Sequence, residues 1–218
     1  MSNTDSFIDE VTEEVRRDRL FVLLKRYGWL GGVAVALIVG GTAWREYTNA
    51  QSRNAAESLG DALIAATAID DSAARAQELS QIPTDTVGSA LLVRLSEATA
   101  LVDAGEPEKA IALLEEVASN GDLALIYRHL ASFKALTLQV GSLAIEERRL
   151  RLDALAQPGA PLALLASEQI ALLDIESGDT AAALSRLTAI AADAAVDRDQ
   201  RERVLQLITA LGGDASAL

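Results

Sequence analysis

The side chains that most often perform catalysis are scarce in this chain. Its 218 residues include a single histidine, His129, and no cysteine. The chain therefore lacks the residues for a histidine-based triad that needs more than this one histidine, for a thiol nucleophile, and for a metal site with several histidine or cysteine ligands. The motifs GxSxG, HExxH and GxxxxGKS or GxxxxGKT do not occur in it either. We therefore predict that the protein is not an enzyme and that it uses no catalytic residue, cofactor, metal ion or small-molecule substrate.

The charge of the chain narrows the choice of partners further. The net charge is −13, and residues 45–218 carry nearly all of it, so a nucleic acid backbone would be repelled. The one basic group in this acidic region is formed by Arg148, Arg149 and Arg151. It is interpreted either as a docking point for an acidic partner or as the local partner of nearby acids. We favour the second interpretation, with pairing to the acids at 146, 147 and 153 along the same helix.

Residues 27–44, YGWLGGVAVALIVGGTAW, form the longest uncharged stretch of the chain. As a helix they would extend about 27 Å, which approaches the thickness of the hydrocarbon core of a bilayer. Trp29 and Trp44 lie near its two ends, where aromatic rings favour the membrane interface. We therefore predict a transmembrane helix over residues 27–44. The alternatives are a signal peptide cleaved after Ala50 and a buried core helix.

Lysine and arginine are more frequent before this stretch than after it. This bias predicts that residues 1–26, a leader with helical apolar spacing, stay in the cytoplasm as an amphipathic helix, and that residues from 45 onward are exported. Small residues recur every fourth position within the predicted span. This stripe predicts close packing against a second membrane helix, and it consists of Gly28, Gly32, Ala36 and Gly40.

The remaining 45–218 segment is rich in alanine and leucine, and aromatic residues make up only 4% of the whole chain. This composition favours helices over strands. Paired amphipathic helices are separated by turn residues at a nearly constant period, and we place these turns at Asp71, Gly105, Gly141 and Gly178. A helical hairpin that repeats at this period is typical of tetratricopeptide-like solenoids. The predicted fold is therefore all-α, with a transmembrane helix, a hairpin solenoid over 45–218 and a capping helix at 198–211.

The whole arrangement resembles the ancillary subunit family of the bacterial Sec translocon. The resemblance is carried by the leader IDEVTEEVRRDR (Ile8 to Arg19), by ALLDIESGDTAAAL (Ala171 to Leu184) and by RERVLQLITALGG near the end of the chain. Members of that family are single-pass inner-membrane proteins with a periplasmic tetratricopeptide-like domain. The resemblance therefore implies a periplasmic location for residues 45–218. It also implies three kinds of protein partner, namely translocon subunits, a periplasmic chaperone and exported chains.

Together these features predict a non-catalytic protein-binding scaffold that is embedded in the bacterial inner membrane and assists exported proteins. The alternative function uses the same repeats for a fixed partner, as in a scaffold for cell-envelope assembly or division. A chaperone-like subunit would bind many different chains, whereas such a scaffold would bind one or two.

Overall fold

The computed structural model describes residues 3–214, and for residues 3–24, Tyr27 and Gly28 it describes the backbone alone. This described part of the chain contains nine α-helices and no β-strand, which confirms the all-α prediction. The helices are α1 (Asn3–Thr67), α2 (Ser72–Ser80), α3 (Val87–Asp103), α4 (Pro107–Ser119), α5 (Leu125–Leu138), α6 (Ile145–Leu155), α7 (Ala163–Glu176), α8 (Thr180–Ala192) and α9 (Arg198–Ala210).

The chain divides into two compact units, Met1–Ser58 and Leu59–Leu218. In the first unit the described backbone belongs entirely to α1, and every described side chain from Trp29 to Ser58 is exposed. The second unit begins with the last turns of α1 and contains all the other helices.

The predicted transmembrane helix is not supported. Among the helices of the described residues, none combines the length and the apolar character that crossing a membrane requires. Trp29–Trp44, the uncharged run with described side chains, would extend about 24 Å against about 30 Å of hydrocarbon. Four of its sixteen residues are glycine, and Arg45 and Glu46 follow it directly. The prediction of a single-pass inner-membrane protein with a periplasmic domain is therefore wrong. The predicted embedding of the chain in the membrane is not supported either.

The second unit is held together by contacts between helices that follow one another in the sequence. From α2 to α9, consecutive helices contact each other, and every substantial contact between helices joins neighbours in the sequence. Four clusters of buried side chains join successive sets of three helices. They include Ala66, Leu79 and Ala100 from α1–α3, Leu91, Leu114 and Ala131 from α3–α5, Leu136, Leu152 and Ile170 from α5–α7, and Ala171, Leu187 and Val204 from α7–α9. Adjacent clusters share a helix, so the hairpins stack into one continuous core, as in a helical repeat protein.

The turns between paired helices use glycine where the backbone becomes left-handed. Gly105 follows α3 with φ 74°, Gly141 follows α5 with φ 84°, and Gly178 follows α7 with φ 82°. At Gly178, the N–H of the next residue, Asp179, donates to the carbonyl of Asp174 at 2.8 Å, which closes the C-terminal turn of α7. The first turn lacks such a glycine. There Asp71 caps α2 by accepting a hydrogen bond from the Ala74 N–H at 2.7 Å.

Candidate functional site

An apolar groove lies beside α3, α4 and α5 and has a volume of about 160 Å³. Its α3 residues occur at positions 95, 98, 99 and 102, a spacing that places them on one helical face. We call it the apolar groove, and it is lined by Leu95, Ala98, Thr99, Val102, Leu114, Lys134, Thr137 and Leu138. Leu92, one turn before Leu95, is 53% exposed, and Val102 is 37% exposed. These aliphatic side chains remain in water, so this groove offers apolar surface to a partner.

A larger groove lies between α2 and α4, on another face of α3, and has a volume of about 630 Å³. Positions 97 and 101 of α3 and position 104, which caps the end of this helix, lie one helical turn apart and line it. We call it the Glu97 groove, and its residues include Ala76, Glu97, Leu101, Ala104, Ala112 and Glu116. Helix α3 therefore has a different groove on each of two faces.

Two of the three carboxylates that line the Glu97 groove already have cationic partners. Glu106 forms an ion pair with Lys109, and Arg94 Nη1 lies 2.6 Å from Glu116 Oε2. Glu97 forms no hydrogen bond or ion pair with any described residue. Its burial raises the pKa of the Glu97 carboxyl, Arg94 lowers this pKa, and Glu116 raises it again. The ionised carboxylate of Glu97 has therefore lost part of its hydration, and the attraction of Arg94 offsets this loss only in part.

We expect Glu97→Gln to raise the free energy of unfolding at pH 7. The glutamine fits the same space and avoids the penalty for desolvating a charge, which outweighs the attraction of Arg94 that it loses. Since the pKa is raised in the folded state, this penalty is present above the folded-state pKa and disappears as the pH falls below the unfolded value. The difference between the variant and the wild type should therefore shrink from pH 7 to about pH 4. Urea denaturation at both pH values measures it, and a variant less stable than the wild type at pH 7 would contradict the expectation.

The buried acids of α7 tie neighbouring helices together. Asp174 contacts Arg149 on α6 at 2.7 Å and Arg186 on α8 at 3.2 Å. Glu168 accepts hydrogen bonds from Gln200 at 2.9 Å and from two guanidinium nitrogens of Arg203 at 3.1 Å, both on α9. These contacts connect residues of different helices, so their role is to fix how α7 packs against α6, α8 and α9.

The basic group at 148–151 is occupied by such contacts. Arg148 pairs with Glu176 at 3.1 Å and Arg149 pairs with Asp174. Arg151 lies 2.8 Å from Glu147 and 3.2 Å from Glu115. Local pairing within α6 therefore holds for Glu147 alone, whereas the other partners lie on α4 and α7. The helical i to i+4 spacing predicts a partner within the same helix, but it cannot predict a partner on another helix.

The remaining residues singled out from the sequence take no part in either groove. Gly32, Ala36 and Gly40 are exposed on α1, and a Cβ built at Gly32 or Gly40 would meet nothing within 4 Å. Gly28 lies outside the residues whose side chains are described. Packing of this stripe against a second helix stays a prediction.

Nothing in the described part of the chain resembles a metal centre. No group of three or more histidine, aspartate or glutamate side chains there is arranged to hold an ion. His129 lies in α5, and its Nδ1 atom is buried without a hydrogen-bond partner among the described residues.

Comparison with known proteins identifies the repeat architecture. The family described as tetratricopeptide repeat-like domain matches residues 25–147, which is more than half of the chain. Searches of curated proteins and of solved structures gave no match, and none of the comparisons links the chain to the ancillary Sec subunit in particular. Stacked hairpins with exposed grooves are the usual protein-binding surfaces of such repeats, and these modules are generally non-catalytic. The consecutive helical hairpins and the match together show that this chain belongs to the tetratricopeptide repeat-like family.

Proposed function

We propose that this chain is a non-catalytic scaffold that binds other proteins through its repeats. The observation that carries the proposal is the apolar groove, where Val102 stays exposed beside a well-packed core, with the exposed Leu92 one turn before Leu95 on the same helix. An isolated aliphatic side chain on a surface is ordinary, but a groove lined by several of them is typical of an interaction site.

The partners that we propose are those of the family that the leader and the 171–184 segment resemble. They are subunits of the protein-export channel, a chaperone of exported proteins and the exported chains themselves. This part of the proposal is supported by the sequence resemblance, and a membrane span forms no part of it.

The apolar groove suits weak and reversible binding. Burial of apolar surface contributes about 25 cal/mol per Å², and association must first overcome the loss of translational and rotational freedom. A volume of about 160 Å³ accommodates little more than a large side chain, so one groove alone gives limited affinity. Such binding fits a protein that serves many chains and releases each of them.

Val102→Lys is expected to weaken protein binding at the apolar groove about tenfold. The new ammonium group would have to lose water within an apolar surface, and Lys134, which also lines the groove, would repel it. The fold should tolerate the change, because residue 102 lies in the last turn of α3, where a positive charge suits the helix dipole. The measurement is photo-crosslinking in cells from benzoylphenylalanine placed at Thr99, with the products identified by mass spectrometry.

Val140→Lys is the matched control, since Val140 is 58% exposed and lies outside the groove. Many different exported chains among the products, together with channel subunits, would support the proposed partners. One or two constant partners would instead favour the fixed scaffold of cell-envelope assembly. Crosslinks that persist unchanged in Val102→Lys would contradict binding at this groove.

A further inference from the structure

We propose that the Glu97 groove is a second protein-binding site, which takes a partner segment that carries a lysine or an arginine and pairs this cation with Glu97. The inference rests on the proposed function, namely that the repeats bind proteins. It adds a separate site on another face of α3 and states the chemistry of the partner.

The shape of the groove fits a polypeptide segment. Its volume of about 630 Å³ lies within the range that is usual for ligand-binding clefts. Alanines line it at position 76 in α2, at position 104 directly after α3 and at position 112 in α4, and Leu101 and Leu113 add apolar surface. Short side chains on the walls leave room for the side chains of a bound segment. The apolar part of that segment would cover Leu101 and Leu113.

The charges of the groove select a cation. Glu116 is paired with Arg94, and Glu106 is paired with Lys109. Arg94 also attracts Glu97, but among the described residues Glu97 is the one carboxylate of the groove that forms no ion pair. A neutral or acidic segment bound over Glu97 would bury this charge further and leave it unpaired, which is unfavourable. A lysine or arginine would supply the missing partner and make a charge-assisted hydrogen bond.

The basic residues of the surrounding helices all form ion pairs with acids other than Glu97. Helices α2, α3 and α4 contain three basic residues. Arg75 lies 3.0 Å from Asp103, Arg94 is held by Glu116, and Lys109 is held by Glu106. A cation that forms an ion pair with Glu97 must therefore come from outside these helices. The burial that raises the pKa of Glu97 is consistent with a site that is completed by binding.

The test is a selection of peptides from a random dodecamer phage library on the full-length chain. We expect the enriched peptides to share one lysine or arginine flanked by small or apolar residues. One enriched peptide is then synthesised with its basic residue intact and with methionine in its place. Its dissociation constant, measured by fluorescence anisotropy, should rise about tenfold for Glu97→Gln. The methionine peptide should lose a similar factor on the wild type and little more on the variant, because the two changes remove the same interaction.

Glu146→Gln is the matched control, since Glu146 is exposed on α6 and lies outside the groove. Thermal unfolding shows whether Glu97→Gln keeps its fold, and the absence of a lost partner predicts that it does. Enriched peptides without a basic residue, or an affinity that Glu97→Gln leaves unchanged, would overturn the assignment of Glu97 and leave protein binding itself intact. A selection that enriches no peptide at all would count against the proposed function as well.

Discussion

Ile170→Ala should lower the free energy of unfolding by about 3 kcal/mol, within the range of about 2–5 kcal/mol that is typical of buried isoleucine or leucine truncation. Ile170 is completely buried in α7 and packs among Leu136, Leu152, Leu155 and Leu173. Truncation to alanine removes three carbon atoms from the middle of this cluster. The loss combines lost burial with the energy of the cavity, because the neighbouring helices can close the space only in part.

Chemical denaturation followed by circular dichroism measures this effect. Leu150→Ala is the matched control, since Leu150 on α6 is 66% exposed, and its truncation should change the stability by less than about 0.5 kcal/mol. A loss below about 1 kcal/mol for Ile170→Ala would show that α5, α6 and α7 collapse around the missing atoms. It would argue against the close packing of this cluster.

The second large effect is expected for Asp174→Asn, which should lower the free energy of unfolding by about 2 kcal/mol. The side chain of Asp174 is only 4% exposed and receives Arg149 and Arg186 from the two neighbouring helices. Asparagine keeps the shape but loses the charge that both guanidinium groups face. Removal of one partner from a fully buried pair costs about 3–5 kcal/mol. We expect less here because both arginines are about one-third exposed and can recover some hydration.

Asp153→Asn provides the control for this change, because Asp153 is exposed on α6 and forms no ion pair with a described residue. The same denaturation experiment applies, with Arg149→Met and the double variant added to complete a thermodynamic cycle. A coupling energy near zero would mean that Asp174 and Arg149 act independently. The proposed role of Asp174 in joining α6 to α7 would then be lost.

The helices and their order are accessible from the sequence because they depend on local signals. Apolar residues at helical spacing, the capping aspartates Asp71 and Asp179, and the glycines after α3 and α7 are all visible within a few neighbouring residues. The observed helices accordingly follow the predicted order, with a final helix at Arg198–Ala210 close to the predicted cap at 198–211.

The grooves and the buried ion pairs cannot be predicted from such local signals in the sequence. The partners of Asp174 lie 25 residues before it and 12 residues after it, and no helical spacing rule connects such positions. Neighbouring helices cover nearly every side of α7, and its acids Glu168 and Asp174 are therefore buried. The sequence likewise places Glu97 on a helix, but it does not show that Arg94 on the same helix forms its ion pair with Glu116 of α4 and not with Glu97.

The membrane prediction failed for a different reason. It used the absence of charge over residues 27–44 and the tryptophans near the ends of that stretch. Apolar character, however, must be sustained over the full thickness of a bilayer. Glycine contributes little apolar character, and the charged residues Arg45 and Glu46 directly follow the stretch within the same helix.

The arrangement of contacts between successive helices has a consequence for how this protein is made. Each buried cluster draws on three helices that follow one another in the chain. The cluster of α1–α3 can therefore form before α7 has been synthesised, and each new hairpin finds its docking surface already in place. Topologies of low contact order fold rapidly because short loops are cheap to close. The ribosome can accordingly release this domain in stages, with little unfolded chain exposed at any time.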